Sequence, residues 1–258
     1  MQYTAENPLK TLSLGWGVQS WTLAAMAALG EIPKPDYAVH ADTTHEMAHT
    51  YAHAKKWTPW LEEHGVKVRT VVGRATDLFQ VIPAFTLDHR GNTGVLRRQC
   101  THRWKIQAIR RFIRTIVPKP TPECVQTIMG ISLDEWQRMK TSDVKFITNS
   151  YPLVDLRMSR ADCMAWLESH GLDIPGKSSC TFCPYHNKDY WRTLKRNGGE
   201  DWKKAVAVDQ AIRNVRPNHT LYVHSAAKPL DEAVRIPEDY GAQQMEMEIP
   251  CDSGFCFT

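Results

Sequence analysis

The chain has 258 residues, of which 42% are hydrophobic and 23% are charged, and its formal net charge is +4. These values are ordinary for a globular protein with one large α/β domain and a small appendage, and the mild positive charge suits anionic ligands or nucleic acid without requiring either. The absence of a secretory pattern and of an apolar run that could span a bilayer predicts a cytoplasmic protein with no membrane partner. In that reducing environment, disulfides are not expected.

The first third of the chain alternates short apolar runs with longer helical patterns. Strands are predicted at "KTLSLG", "DYAVHADT" and "VKVRTVVG", and helices at "VQSWTLAAMAALG" and "HEMAHTYAHAKKWTPWLEEHG", the second with a candidate break at Pro59. Such alternation implies right-handed crossovers and a parallel sheet. Ligands of these folds bind at the carboxyl ends of the strands, where the two glycines of "LGWGV" and the Asp42-Thr43 pair fall.

The rest of the chain divides into a continuation of this pattern and a region of different texture. A basic helix, "THRWKIQAIRRFIRTIV", is followed by a strand, "VQTIMGI", and by a helix for which Ser159 is a candidate N-cap. From about Gly176 onward, cysteines, aromatic residues and short polar stretches predominate. We therefore predict an α/β domain over residues 1–175, a twisted parallel sheet with helices on both faces, and a cysteine-containing C-terminal cap and tail over residues 176–258.

The segment "SLGWGVQS" sits where the first strand turns into the first helix. Small residues at such a turn let backbone N–H groups approach an anion, and the helix N-terminus adds positive potential. The side chains of Ser13, Gln19 and Ser20 can add donors. The spacing matches neither a Walker A loop nor a Rossmann GxGxxG motif. The residues alone leave two interpretations open, an anion site and a simple turn that packs a helix against a sheet.

Five segments of the chain resemble known motifs in the same order. "SLGWGVQS" resembles the SGGxDS loop of the N-type ATP pyrophosphatases and the shorter loop of PAPS reductases, with Gln19 where the former have aspartate. Four further segments resemble PAPS reductases, namely "HADTTHE", "CTHRWKIQAIRRFI", "TIMGISLDEWQRM" and "YPLVDLRMSRADCMAWLESHGL". The chain is identified as a member of the PAPS reductase-like adenine nucleotide α-hydrolase superfamily, whose members have a HUP-like α/β fold.

The resemblance implies a site for an adenine nucleotide, either ATP, with Mg²⁺ as an optional companion, or a sulfonucleotide (PAPS or APS). The expected nucleotide-binding residues are Ser13, Gly15, Trp16, Gly17, Gln19, Ser20, Asp42, Thr43, Arg103, Gly130 and Ile131. Lys105 and Arg138 are expected to act catalytically on the phosphates or sulfate. Trp16, at a position where glycine is usual, is expected to stack on a base or to close the loop. The basic helix 102–114 is a candidate contact for nucleic acid, and a solvated helix face is the alternative.

The cysteines are candidate ligands of a metal centre. Cys180 and Cys183 form a CxxC motif, whose spacing lets two thiolates reach one metal centre. In the iron–sulfur sulfonucleotide reductases a Cys-Cys pair lies in the region of Cys100, and here Gln99 replaces its first member. The resemblance implies a [4Fe–4S] cluster held by Cys100, Cys180, Cys183 and a cysteine of the tail, for which Cys256 is favoured and Cys251 is the alternative. Structural zinc, a free redox pair and plain buried thiols remain alternatives.

Three functions are compatible with these features. The first is an enzyme that adenylates a substrate with ATP and, assisted by an iron–sulfur cluster, transfers sulfur to a nucleic acid or a small molecule. The second is a sulfonucleotide reductase, although the tail "PCDSGFCFT" lacks the family's Glu-Cys-Gly-Leu-His motif. The third is a non-catalytic nucleotide- or nucleic-acid-binding module with structural zinc. The sequence leaves open the sulfur acceptor, a sulfur or electron donor protein, and a homodimeric state.

Overall fold

The computed structural model describes residues 3–73 and 81–236, which its internal contacts divide into two units. The first unit comprises residues 3–73 and 104–178, and the second comprises residues 81–103 and 179–236. The division after residue 178 lies close to the predicted one. Residues 81–103, which the sequence analysis assigns to the first domain, belong to the second unit instead.

The elements are numbered along the chain. They are β1 (Leu9–Ser13), α1 (Val18–Leu29), β2 (Tyr37–Asp42), α2 (Ala48–Glu63), β3 (Val68–Val72), β4 (Phe85–Asp88), β5 (Thr93–Val95), a π-helical segment (Thr101–Ile106) that continues into α3 (Gln107–Ile116), β6 (Val125–Ile128), a 3₁₀ segment (Leu133–Arg138), β7 (Ile147–Ser150), α4 (Pro152–Asp155), α5 (Arg160–Ser169), α6 (Lys188–Asn197), α7 (Glu200–Ile212), β8 (His219–Tyr222) and α8 (Leu230–Ala233).

A five-stranded sheet in the order β3-β2-β1-β6-β7 forms the centre of the described part of the first unit. All its strands are parallel, with Leu12 of β1 aligned with Ala38 of β2 and Ile128 of β6. The predicted parallel sheet is thus confirmed. The chain runs outward in one direction from β1 to β2 and β3, and in the other from β6 to β7. The carboxyl ends of β1 and β6 therefore flank the point where the strand order reverses, which is the usual ligand crevice of such sheets.

Helices pack against both faces of this sheet. Successive side chains of a strand point to opposite faces, so each strand contributes to a core on either side. Leu12 belongs to a buried cluster with residues of α1, α2 and α5, whereas Leu9 packs with Ile113 of α3 in a separate cluster. Gly30 ends α1 in the left-handed conformation, with φ of 83°. Pro59 does not break α2, which continues to Glu63.

The second unit has its own small sheet and helices. Strands β5, β4 and β8 form an antiparallel sheet in that order. Asp209 of α7 is buried and accepts hydrogen bonds from the backbone N–H groups of Val223 at 2.9 Å and Leu230 at 3.0 Å. This single carboxylate therefore links α7 to the end of the segment that contains β8 and to the start of α8. Across residues 3–73 and 81–236, the structure contains no helix with the length and apolar character needed to span a membrane.

The predicted N-cap at Ser159 is confirmed and is part of a capping box. Its side chain accepts from the backbone N–H of Asp162, and the Asp162 carboxylate accepts from the backbone N–H of Ser159 at 2.8 Å. The Ser159 hydroxyl also donates to the Asp162 carboxylate at 2.6 Å, and this bond, together with the one from the backbone N–H, lowers the pKa of Asp162.

We expect Ser159→Ala to lower the free energy of unfolding by about 1 kcal/mol, because it leaves a helix N–H group without its cap. Urea denaturation of the two proteins measures this difference. Ser159→Thr is the matched control and should cost only a few tenths of a kcal/mol, since threonine keeps the hydroxyl that caps the helix and donates to Asp162. Equal losses in the two variants would contradict the capping role.

Candidate functional site

The loop between β1 and α1 is closed by its own hydrogen bonds. The hydroxyl of Ser20 accepts from the backbone N–H of Gly15 and donates to the backbone carbonyl of Gly17, each at 3.2 Å. Gly17 is the N-cap of α1 and supplies no capping side chain, and the first turn of the helix has no acidic residue. The N–H groups of that turn therefore keep an unneutralised positive potential, which favours an anion.

The buried ring of Trp16 fits the second of its two expected roles, closing the loop, better than stacking on a base. Its side chain is 1% exposed and packs against the rings of Trp21 and His53, with centroid distances of 6.0 Å and 5.8 Å. Its φ of 57° lies in the left-handed region, which is strained for a residue with a side chain. Burial of a large aromatic side chain offsets that strain. The ring of Trp16 is thus an anchor of the loop in the core, and it does not face a ligand.

The end of β6 lies directly against this loop. A Cβ atom at Gly130 would stand 2.7 Å from the backbone nitrogen of Ser20 and 3.1 Å from the carbonyl carbon of Gln19. Only glycine allows two backbone segments to come this close. Gly130 therefore lets the chain after β6 pack directly against the backbone of the loop. The neighbouring Ile131 is buried and has a packing role.

A small polar network joins the loop to the 3₁₀ segment. The Gln19 side-chain amide donates to the hydroxyl of Ser132 at 3.4 Å and to Oε2 of Glu135 at 3.2 Å. The same Glu135 oxygen is 2.6 Å from the guanidinium of Arg138. Arg138, one of the two expected catalytic cations, is thereby linked to the loop through one carboxylate. Ser132 and Glu135 were not among the expected residues.

At the end of β2, the expected binding residues have local partners. The Asp42 carboxylate accepts from the backbone N–H of Thr44 at 2.7 Å and from the Tyr51 hydroxyl at 2.8 Å. Burial, together with the Asp42 carboxylate, raises the pKa of Tyr51. Thr43 donates its hydroxyl proton to Glu46 at 3.2 Å. Asp42 and Thr43 therefore shape the turn after the strand.

Glu46 is the main residue of this edge that the sequence analysis missed. Its carboxylate is 2% exposed and lies 3.3 Å from the ammonium group of Lys105. Nearby, His40 is buried and its Nδ1 lies 3.1 Å from the carbonyl oxygen of Leu14. Burial lowers the pKa of His40, so the ring is neutral at pH 7. Glu46 holds the cation of Lys105, the other expected catalytic residue, near the end of β2, and no sequence spacing marks Glu46 for this role.

The remaining expected residues are Ser13, Arg103 and the arginines of the basic helix. Ser13 is the last residue of β1. Arg103 belongs to the second unit, where its backbone N–H donates to Gln99 at 2.9 Å. In the basic helix, Arg110 pairs with Asp143, and Arg114 lies over the ring of Phe146 at 5.3 Å. Two of the arginines proposed for nucleic acid thus make contacts within the first unit.

The cysteines do not form a complete metal centre in the described part of the chain. Cys180 and Cys183 share one turn, in which the Cys183 N–H donates to the Cys180 carbonyl at 3.1 Å. Among residues 3–73 and 81–236, no group of three or more His, Cys, Asp or Glu side chains could hold a metal ion. Cys100 therefore does not join the CxxC pair, and Cys256 lies outside the described residues. The described residues do not fit a four-thiolate cluster, and no chemical step is assigned to one.

Two further thiols are buried in the core. Cys124 and Cys163 are both fully buried in the first unit. Burial raises the pKa of Cys163 to about 12, which leaves it protonated and unreactive at neutral pH.

No family model matches the chain, and no curated protein matches it. Among solved structures, the chain is similar to the phosphoadenylyl-sulfate (PAPS) reductase from Candida auris in complex with phosphate, at 10% identity over 65% of this chain and 75% of that chain, with a TM-score of 0.44. It is also similar to the U34-tRNA thiolase NcsA from Methanococcus maripaludis with its [4Fe–4S] cluster, at 14% identity over 81% of this chain and 73% of that chain, with a TM-score of 0.42.

Proposed function

We propose that the chain is an adenine-nucleotide-binding enzyme that holds the phosphates of ATP at the loop between β1 and α1 and adenylates a substrate for sulfur transfer. The observation that supports it most is the loop itself. The first turn of α1 has neither a capping side chain nor an acidic residue, and Gly130 supports the loop from the adjoining strand end. A tetrahedral oxyanion is the ligand that such a turn favours.

Two cations strengthen the proposal. Lys105 and Arg138 are each held in place by a carboxylate, Glu46 and Glu135 respectively. A guanidinium has five N–H donors, and the buried Nε of Arg138 has no hydrogen-bond partner among the described residues, so Arg138 keeps a donor for a phosphate. In this proposal they stabilise the negative charge that develops on the leaving pyrophosphate, with Mg²⁺ arriving together with ATP. A nucleic acid or a small molecule would be the sulfur acceptor.

A sulfonucleotide reductase is the second candidate, and one residue favours it. The loop has Gln19 where ATP pyrophosphatases have an aspartate, and Gln19 matches the PAPS reductase pattern. The same turn would then bind the phosphate or sulfate end of PAPS or APS. This reaction needs a nucleophilic cysteine, and the two cysteines of the tail, Cys251 and Cys256, lie outside the described residues.

Titration with ATP, APS, PAPS and adenosine separates these candidates. For the first candidate we expect wild-type protein to bind ATP most tightly and to release pyrophosphate in the presence of an acceptor. Lys105→Met should weaken ATP binding about 10- to 100-fold, the value of one or two charge-assisted hydrogen bonds, and leave adenosine binding unchanged. Exposed Lys119 provides the matched control, Lys119→Met.

Lys105→Met alone leaves Glu46 buried without its cation, which can destabilise the fold. The double variant Lys105→Met/Glu46→Gln removes that charge and keeps the test valid. Tightest binding of PAPS or APS, with release of sulfite, would favour the reductase. A wild-type protein that binds none of the three nucleotides would refute both candidates.

Iron, sulfide and zinc analysis after anaerobic purification tests the iron–sulfur component separately. About four irons per chain would show that ligands outside the described residues complete a [4Fe–4S] centre with the CxxC pair. Stoichiometric zinc without iron would favour the alternative of a structural zinc site.

A further inference from the structure

Gly17 has an ordinary backbone conformation, so its lack of a side chain needs another explanation. Its φ of −88° and ψ of 170° lie in the extended region that all residues adopt. A Cβ atom at this position would stand 2.9 Å from the hydroxyl oxygen of Ser178. Glycine at position 17 thus makes room for the Ser178 hydroxyl at the N-terminus of α1.

The segment that carries Ser178 is fixed in this position from α2. The His49 ring, through Nε2, bonds the carbonyl oxygen of Lys177 at 3.1 Å. Gly176 allows the approach, because a Cβ atom there would stand 2.9 Å from the same nitrogen of His49. Two glycines and one histidine therefore bring the Ser178 hydroxyl to the loop. These contacts all lie within the first unit.

The Ser178 hydroxyl has no hydrogen-bond partner among the described residues. Ser178 is 9% exposed, and its side chain forms no hydrogen bond with any residue in ranges 3–73 and 81–236. In a residue this deeply buried, a hydroxyl normally has a hydrogen-bond partner, since losing contact with water is costly. It lies beside a helix N-terminus that lacks a capping side chain. The group missing from this arrangement is an acceptor, and the local potential favours an anionic one.

We propose that Ser178 is an anion-binding residue, donating its hydroxyl proton to the tetrahedral oxyanion held by the first turn of α1. This inference rests on the proposed function and adds a residue to its site. Segment 176–178 leads directly into the CxxC motif, so the anion would contact the residues that immediately precede Cys180. Phosphate and sulfate share the required geometry and charge.

Binding measurements with pyrophosphate, sulfate, ATP and adenosine test the proposal. We expect Ser178→Ala to weaken the binding of ATP and pyrophosphate about 10-fold, the value of one hydrogen bond to a charged group, and to leave adenosine binding unchanged. Ser169→Ala, the same exchange at an exposed position, is the control. Inorganic sulfate, titrated in parallel, shows which of the two oxyanions the residue prefers.

A second measurement tests the geometry without any ligand. Gly17→Ala should lower the thermal midpoint by about 3 °C in the wild-type background, because the new methyl group meets the Ser178 oxygen. In the Ser178→Ala background the nearest side-chain atom would be the Cβ atom, at 3.8 Å, and the loss should be smaller. Equal losses in the two backgrounds would overturn the placement of the hydroxyl.

The outcomes separate the two proposals. If wild-type protein binds neither ATP nor pyrophosphate, the proposed function fails and this inference fails with it. If wild-type protein binds both and Ser178→Ala binds them equally well, the inference alone is overturned. A loss of adenosine affinity in Ser178→Ala, parallel to the loss for ATP, would also overturn it, because a general distortion of the site would then be the cause.

Discussion

Gly130→Ala is expected to weaken ATP binding about 100-fold, the value of about two hydrogen bonds to a charged group. The added methyl group would stand 2.7 Å from the backbone nitrogen of Ser20 and 2.9 Å from its Cα atom. Both are backbone atoms, so no side-chain rotation can relieve the contact, and the first turn of α1 must move. Because the N–H groups of that turn are the proposed phosphate donors, the displacement should act mainly on ligands that carry phosphate. Calorimetric titration with ATP and with adenosine measures the two effects.

The same substitution should also cost about 1–3 kcal/mol of stability, as overpacking usually does. A control is needed that loses similar stability at a distance from the loop. Ile113→Val, in the buried core on the α3 side of the sheet, should cost about 1 kcal/mol and leave ATP affinity unchanged. If Gly130→Ala binds ATP as tightly as Ile113→Val does, the loop is not the phosphate site.

The second large effect concerns His53 and acid pH. This side chain is 9% exposed and packs against Trp16 and Trp21, and burial lowers its pKa to about 4. In the unfolded chain histidine has a pKa of about 6.5, so between pH 6.5 and pH 4 the unfolded state binds a proton that the folded state does not. Stability is therefore fully present above pH 6.5 and is lost as the pH falls toward 4. We expect His53 to account for about 2–3 kcal/mol of that loss.

Urea denaturation at pH 7, 6, 5 and 4, with His53→Phe as the comparison, isolates this contribution. Phenylalanine keeps an aromatic ring in the cluster and cannot titrate, so its pH profile should be flatter than that of the wild-type protein. The buried His40 contributes in the same direction to both proteins and cancels in the difference. His89→Gln, at an exposed position, serves as the control. Parallel profiles of wild type and His53→Phe would contradict the assignment.

If these expectations hold, the stability of the aromatic cluster and the conformation of the loop are coupled. Trp16 links them, because its backbone belongs to the loop and its ring belongs to the cluster with His53. Acid destabilisation of the cluster should then also release the loop. The positive φ of Trp16 is sustained by this burial.

Local features of the sequence were sufficient for most elements of the first unit, including four of the five strands of the parallel sheet, but β7, with the sequence ITNS, was not predicted. Some helices have clear local signals, such as the capping box at Ser159 and the glycine at position 30. These signals act between residues close in sequence, so they can be recognised without knowledge of the fold. The loop between β1 and α1 was recognisable for the same reason.

Only the tertiary structure decided which residues meet across long stretches of chain. Glu46 pairs with Lys105, Ser178 approaches Gly17, and residues 81–103 join the second unit. None of these contacts leaves a spacing pattern, since a side chain can meet any residue that the packing of the core brings near. The sequence by itself determined the parallel α/β sheet, and it placed a glycine-containing loop, predicted to bind an anion, at a strand end. The packing of the core decided that Trp16 is an anchor, and it brought the carboxylates and the Ser178 hydroxyl to that loop and sheet edge.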